Sequence, residues 1–330
     1  MDDILEVNGL YVTFRTASSH VRAVRDVSFT LRAGTTLGLV GESGCGKSVT
    51  AYSLLRLVPP PGVIDAGSIR YRGRDLLQMD DEEIRAIRGK EIAMIFQEPM
   101  TSLNPVFTVG RQISESLILH LGMTRRAARD RAIELLHSAG MPDPRRIFDA
   151  YPHELSGGMR QRAMIAMALA ASPSILIADE PTTALDVTIQ AQILDLLKKL
   201  QKERNMTLLL ITHDLGIVAS LADEIAIMYA GEIVERGTTA EVFKKPAHPY
   251  TAGLFKAIPR IGATRGKLRV IPGTVPEVRD EPTGCVFYPR CGRAIDRCAH
   301  APVVLKRCGG RRAVRCIRYR PATAVRRGAG

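Results

Sequence analysis

One eight-residue tract constrains the fold more than any other. Gly41-Glu42-Ser43-Gly44-Cys45-Gly46-Lys47-Ser48 fits G-x-x-x-x-G-K-[ST], with an apolar run from Thr36 to Val40 before it and an apolar helical stretch beginning near Val49 after it. Strand, glycine loop and helix in that order form a phosphate cradle. The glycines let successive backbone N–H groups face phosphate oxygens, Lys47 neutralises charge, and Ser48 is placed to ligate magnesium. The dipole of the following helix adds to the same anion site. Cys45, inside the loop, reads as a small space-filling residue rather than a redox centre.

Two further strand ends carry chemistry. Ile175-Leu176-Ile177-Ala178 is apolar and ends in Asp179-Glu180, which places two carboxylates at a strand's carboxyl edge, where doubly wound sheets bind ligands. Alone, such a pair is more often a helix cap. Beside a phosphate loop, Asp179 is expected to hold the magnesium shell and Glu180 to polarise the attacking water. Thr207 to Thr212 delivers His213 to the same kind of edge, and the IAMIF run at 92–96 delivers Gln97, whose amide can ligate magnesium or orient water. The tract Leu155-Ser156-Gly157-Gly158-Met159-Arg160-Gln161-Arg162 precedes a long apolar helix, so its glycines permit close backbone approach of an anion to a helix N-terminus.

The rest of the pattern agrees with an α/β chain. Residues 4–14 and 21–31 read as short strands, the second alternating in period two. Thr108 to Gly140 reads as helical with Thr124 as an N-cap, and a helical subdomain is expected over about 100–172. An amphipathic helix from about Val187 to Arg204 separates the strands at 175–178 and 207–212, and such alternation means a largely parallel sheet. Past Lys244, prolines at 246, 249, 259, 272, 276, 282, 289 and 302 interrupt any long element, so the boundary is placed near 245: a nucleotide-binding domain over 1–245 and an irregular extension over 246–330.

Composition narrows the function. Hydrophobic residues make up 45% and charged residues 24% of the 330, as in folded globular chains. The longest apolar run, Ala163 to Ala171, is far short of the roughly 20 residues needed to cross a bilayer, and the N-terminus is acidic rather than signal-like, so a chain that neither spans a membrane nor is secreted is expected. The net charge of +12 is concentrated after Lys267, and with no Trp and 5% aromatics there are few platforms for stacking bases; nucleic acid is not an expected partner.

Read together, the phosphate loop, Gln97, the Leu155–Arg162 tract, Asp179-Glu180, Thr183-Ala184-Leu185-Asp186 and His213 resemble the nucleotide-binding subunit of ATP-binding cassette (ABC) transporters, in family order over about residues 4–245. The resemblance implies a mostly parallel sheet with an antiparallel β subdomain and a helical subdomain. It implies MgATP hydrolysis, with the signature Ser156, Gly157, Gly158 and Met159 of one subunit closing over the nucleotide of another. Met159 stands where the family usually has Gln. Gln97 corresponds to the Q-loop, Asp186 to the D-loop, and Phe14 to the aromatic residue that stacks on adenine, although Phe14 equally suits the core.

Gly41 to Gly44, Phe96 to Pro105 and His248-Pro249-Tyr250-Thr251 are similar to the peptide/nickel importer branch, and the methionine-bearing signature to its D-type subunit. That implies pairing with an F-type ATPase chain, two transmembrane permeases and an extracytoplasmic solute-binding protein, at the cytoplasmic face of the cell membrane. Rival readings are the same engine for nickel or glycosides, or a soluble ABC protein acting on ribosomes or DNA. Five of the six cysteines lie in the last fifth of the chain. Their grouping points to metal in a reducing compartment. The spacing of Cys285, Cys291, Cys298 and Cys316 resembles the 4Fe–4S segment of D-type subunits, with zinc as the alternative and free thiols as the plain reading; Cys308 is left over.

Overall fold

A computed structural model describes residues 2–16, 19–98, 102–183, 185–257 and 271–319. Pro99, Met100 and Thr101 of the Q-loop tract, Ala184, Lys267 and the Arg326-Arg327 tail lie outside the described residues. The strands are β1 (Asp3–Arg15), β2 (His20–Arg32), β3 (Thr36–Val40), β4 (Gly62–Tyr71), β5 (Arg74–Asp75), β6 (Ile92–Ile95), β7 (Ile175–Asp179), β8 (Thr207–Thr212), β9 (Glu224–Tyr229), β10 (Glu232–Thr238), β11 (Lys306–Arg307) and β12 (Ala313–Val314). The α-helices are α1 (Lys47–Leu54), α2 (Asp81–Ile87), α3 (Val109–Leu121), α4 (Arg125–Ser138), α5 (Pro144–Asp149), α6 (Gly157–Ala168), α7 (Val187–Glu203), α8 (Leu215–Leu221), α9 (Thr239–Lys244), α10 (Pro249–Ala257) and α11 (Arg297–His300).

They build two sheets. One is antiparallel, in the order β2-β1-β4-β5. The other has the order β11-β12-β10-β9-β3-β8-β7-β6, parallel from β9 through β6 and antiparallel beyond β9. Strands β3, β7 and β8 are buried along their whole length, which is why they read as continuous apolar runs rather than alternating ones. Helices α3 to α6 sit between β6 and β7 in sequence and share one apolar core with the sheet through Val109, Ile113, Leu135, Phe148 and Met164. The helical stretch expected from Thr108 to Gly140 is two helices. Gly122 takes a left-handed φ of 64° and ends α3, and Thr124 caps α4 by accepting from the Ala127 N–H.

The extension past 245 is not a separate layer. Strand β12 pairs antiparallel with β10, and Val278, Val286 and Phe287 share a core with Tyr229, Val234, Val242 and Tyr250. Glu235 of β10, fully buried, accepts from the N–H groups of Ala247 and His248 at the start of α10 and from Arg312. Among the described residues no helix is long and apolar enough to cross a membrane.

Candidate nucleotide site

The phosphate loop leaves β3 and enters α1. Its turn requires glycine: Gly44 and Gly46 have φ of 76° and 102°, and a Cβ on Gly46 would stand 2.3 Å from the Ala23 carbonyl oxygen. Gly41 is set against the Met228 carbonyl oxygen, which a Cβ would approach to 2.2 Å. Ser43 and Gly44 are exposed at the mouth of the loop. Lys47 is 5% exposed, and its ammonium donates to the carbonyls of Gly41 (2.9 Å) and Glu42 (3.1 Å), inside the curve of the loop. Cys45 is buried, and burial pushes its thiol up despite the nearby Lys47 ammonium.

Asp179 ends β7 and is fully buried. Among the described residues neither carboxylate oxygen meets a hydrogen-bond partner. Burial pushes the carboxyl up, opposed by the Ser48 hydroxyl and by Lys47. An orphaned buried carboxylate beside a serine hydroxyl is the donor set a hard cation accepts, so Ser48 and Asp179 fit magnesium.

Glu180, the next residue, stands in the left-handed region at φ 45° and is held there by its N–H donating to the Ile211 carbonyl at 2.9 Å. Three candidates converge on its carboxylate. Gln97 Nε2 donates to Oε2 at 3.2 Å, the Thr183 hydroxyl donates to the same oxygen at 2.9 Å, and His213 Nδ1 lies 3.2 Å from Oε1. Burial works to raise the carboxyl, yet the bonds to His213 and Thr183 and the fields of His213 and Lys47 hold it below the usual range. It is a resident anion.

The signature stands elsewhere in the fold. Ser156 is exposed and caps α6, accepting from the Met159 N–H at 3.4 Å. Gly158 admits Ile189 of α7 so closely that a Cβ would meet its Cγ2 at 2.8 Å. Gly157 is exposed, and Met159 packs on the helical subdomain core. Asp186 caps α7 through the Ile189 N–H and is followed by Val187, 82% exposed. Phe14 pairs with Val21 and Gly62 at a strand end, half-buried against the core between the sheets.

The cysteines bring a correction. Cys285, Cys291, Cys298 and Cys316 lie within one another's fields: burial, then those three neighbours, push the Cys285 thiol up to about 11. Cys308 is apart, beside Tyr319, Arg312 and Glu235. All are free thiols. Yet among the described residues no group of three or more His, Cys, Asp or Glu side chains is arranged to hold a metal, so the expected 4Fe–4S or zinc cage is not preformed. The physical reason is local: Cys285 and Cys291 pack against the apolar core that holds Val278, Val286 and Phe287.

Sequence reasoning missed two residues on the loop. The Glu42 N–H donates to the Tyr250 hydroxyl at 3.1 Å, and Arg290 donates to the Glu42 carboxylate at 3.1 Å. Tyr250 lies in the tract His248 to Thr251 and Arg290 directly precedes Cys291. Both were legible as positions but not as contacts.

A phosphate loop feeding a helix, acidic residues at the neighbouring strand ends and a helical subdomain between β6 and β7 define a nucleotide-hydrolysing cassette. The chain belongs to the ABC transporter family, as an ABC-type ATPase carrying the C-terminal region of oligopeptide/dipeptide transporters. Residues 24–183 match the ABC transporter model and 234–298 match the oligopeptide/dipeptide transporter C-terminal region. A peptide import ATP-binding protein of Brucella melitensis biotype 1 is 54% identical over 97% of this chain and 98% of its own. One from Brucella suis biovar 1 is 53% identical over 95% and 94%. Among solved structures, the dimeric post-hydrolysis ATP-binding cassette MJ0796 bound to ADP and Pi is similar at TM-score 0.65 and 29% identity, over 71% of this chain and 98% of that one. The protein cbiO1 of Clostridium perfringens, part of the transporter complex cbiONQ, is similar at TM-score 0.63 and 26% identity, over 74% and 92%.

Proposed function

We propose that the chain is the ATP-hydrolysing subunit that energises a membrane importer of di- and oligopeptides. The observation that carries this reading is the Glu180 carboxylate, fixed between Gln97, Thr183 and His213 and adjacent in sequence to the buried Asp179. Gly41 to Ser48 cradles the phosphates through backbone N–H groups, and Lys47 offers its ammonium to them. Ser48, Asp179 and the Gln97 amide are the residues that would hold magnesium, which would supply positive charge against the phosphates. Glu180, kept ionised, orients and polarises water, and His213 and Gln97 set its angle. Phe14 is assigned to adenine. Ser156, Gly157, Gly158 and Met159 serve the nucleotide of a second subunit, with Asp186 at the same junction.

The peptide assignment rests on the likeness to peptide import ATP-binding proteins and on the match at 234–298. It brings a D-type role with it: pairing with an F-type chain, docking of the helical subdomain on two permeases, indirect service to a solute-binding protein, and a peripheral place on the cytoplasmic face of the membrane. Residues 1–245 form the ATPase unit in this reading and 246–330 its extension. The grouping of Cys285, Cys291, Cys298 and Cys316 in the extension, with the Cys285 N–H donating to the Cys298 carbonyl at 2.7 Å, supports a 4Fe–4S cluster that would draw the four thiols together on binding, zinc being the alternative.

Glu180→Gln tests the site. The amide keeps the shape but not the charge, so nucleotide affinity is retained while turnover of the assembled complex falls by about 10²- to 10⁴-fold. Turnover near the unmodified rate would remove Glu180 from the reaction. The extension is tested by metal analysis of anaerobically purified chain: about four irons per chain are expected. Stoichiometric zinc would decide for the other metal, and metal-free protein with an ordered extension would end both assignments.

A further inference from the structure

Glu42 is the second residue of the phosphate loop, and the extension holds it from two sides. Its N–H donates to the Tyr250 hydroxyl, and its carboxylate Oε2 accepts from Arg290 Nη2 at 3.1 Å. The Arg290 side chain is 7% exposed, and its guanidinium is a junction. Nε donates to the Pro272 carbonyl at 2.8 Å, Nη2 also to that of Gly273 at 3.1 Å, and Nη1 reaches the Tyr229 hydroxyl at 3.5 Å. Tyr229 in turn packs on Tyr250 (4.7 Å between ring centres) and edge-on against Phe287 (5.2 Å). One side chain thus ties the loop, the end of β9 and the 271–273 backbone together.

The electrostatics make this more than a staple. A carboxylate on a phosphate loop repels the anion the loop is built to hold. Among the described residues only Glu42 Oε2 is engaged by a cation, and Oε1 is buried without a partner. Arg290 holds the Glu42 carboxylate beside Tyr250 and is its one ion-pair partner among the described residues, so removing it leaves a half-buried anion without a cation at the phosphate site. We infer that Arg290 is a positioning residue for the phosphate loop, through which the cysteine-bearing extension sets the affinity of the ATPase for nucleotide. By linkage, nucleotide on the loop must in turn stabilise the 271–291 segment.

The inference rests on the loop being the nucleotide site, and Lys47→Ala in the full-length chain separates the two. Titration with a fluorescent ADP analogue should show affinity largely lost in Lys47→Ala; unchanged affinity there would sink the site assignment and the Arg290 role with it. With that control met, Arg290→Ala should weaken binding at least about fivefold, within the 5–150-fold usual for coupled sites. Arg290→Lys, which keeps charge but loses the forked geometry, should fall between. The discriminating variant is Arg290→Ala combined with Glu42→Gln, which should recover most of the affinity because the uncompensated charge is gone. A packing role would show no such rescue. In hydrogen exchange, ADP should protect 271–291 in the unmodified chain and fail to do so in Arg290→Lys. Unchanged affinity in the folded Arg290 variants, or loss without rescue by Glu42→Gln, would overturn the inference.

Discussion

His248 shows how far a buried side chain can depart from its solution chemistry. It is 1% exposed, Nδ1 accepts from the Tyr250 N–H at 3.1 Å, and burial pushes its imidazolium down to about 3 against a hydrogen bond at the Arg315 backbone. The native ring is neutral where an unfolded one, with its ordinary pKa of 6.5, takes a proton. The unfolded state therefore binds more protons between about pH 6.5 and 3, so the stabilisation is complete above 6.5 and lost as pH falls through that window. Denaturant titrations at several pH values should show stability dropping by up to about 1.4 kcal/mol per pH unit from this residue. His248→Asn, whose Oδ1 can take over the acceptor role, should flatten the slope by about one proton. An unchanged slope would mean the ring is protonated in the native state.

Among elements, the phosphate loop tolerates least. Gly46→Ala asks for a left-handed φ of 102° and drives a Cβ into the Ala23 carbonyl, so it should cost about 1–3 kcal/mol from the backbone alone. Thermal unfolding and nucleotide titration should both move; a variant with native Tm and affinity would contradict the packing of the loop on β2. This loop was legible because its sequence pattern is the geometry: a buried strand, φ-permissive glycines and a helix in eight consecutive letters. Strands β3 and β8 were legible for the same reason, each a bounded apolar run. Strands β4, β9 and β10 were not read, since β4 begins at Gly62 after a proline run and β9 and β10 pair across a turn at Ala230-Gly231 that carries no long alternating signal. The convergence of Gln97, Thr183 and His213 on Glu180 lies beyond any spacing rule. It depends on β6, β7 and β8 being sheet neighbours, which is tertiary information. Arg290 is the extreme case, reaching a residue 248 positions away.

At the scale of the molecule, Ser156, Gly157, Asp186 and Val187 are exposed, as are Ser43 and Gly44 at the mouth of the phosphate loop, and the proposed function makes the two groups complementary halves of a site shared between subunits. In the proposed arrangement neither half suffices. Isolated chain should hydrolyse ATP slowly, with turnover per chain rising with protein concentration and rising further on addition of the companion ATPase chain and permeases. Full activity independent of concentration would show that one chain completes its own site.

The pairing of β12 with β10 has a consequence for how the protein comes to exist. Residues 313–314 cover Glu235 and Arg236, so this part of the antiparallel rim of the main sheet is covered by the last described strand in the chain, with β11 outside it. A ribosome must add roughly seventy-five residues after β10 before that cover can arrive, about 4–15 s at ordinary elongation rates. Through that interval the nascent cassette carries an open strand edge, the kind of surface on which chains recruit one another. Clones that stop short of β12 should then collect in inclusion bodies, with the damage done during synthesis rather than after it.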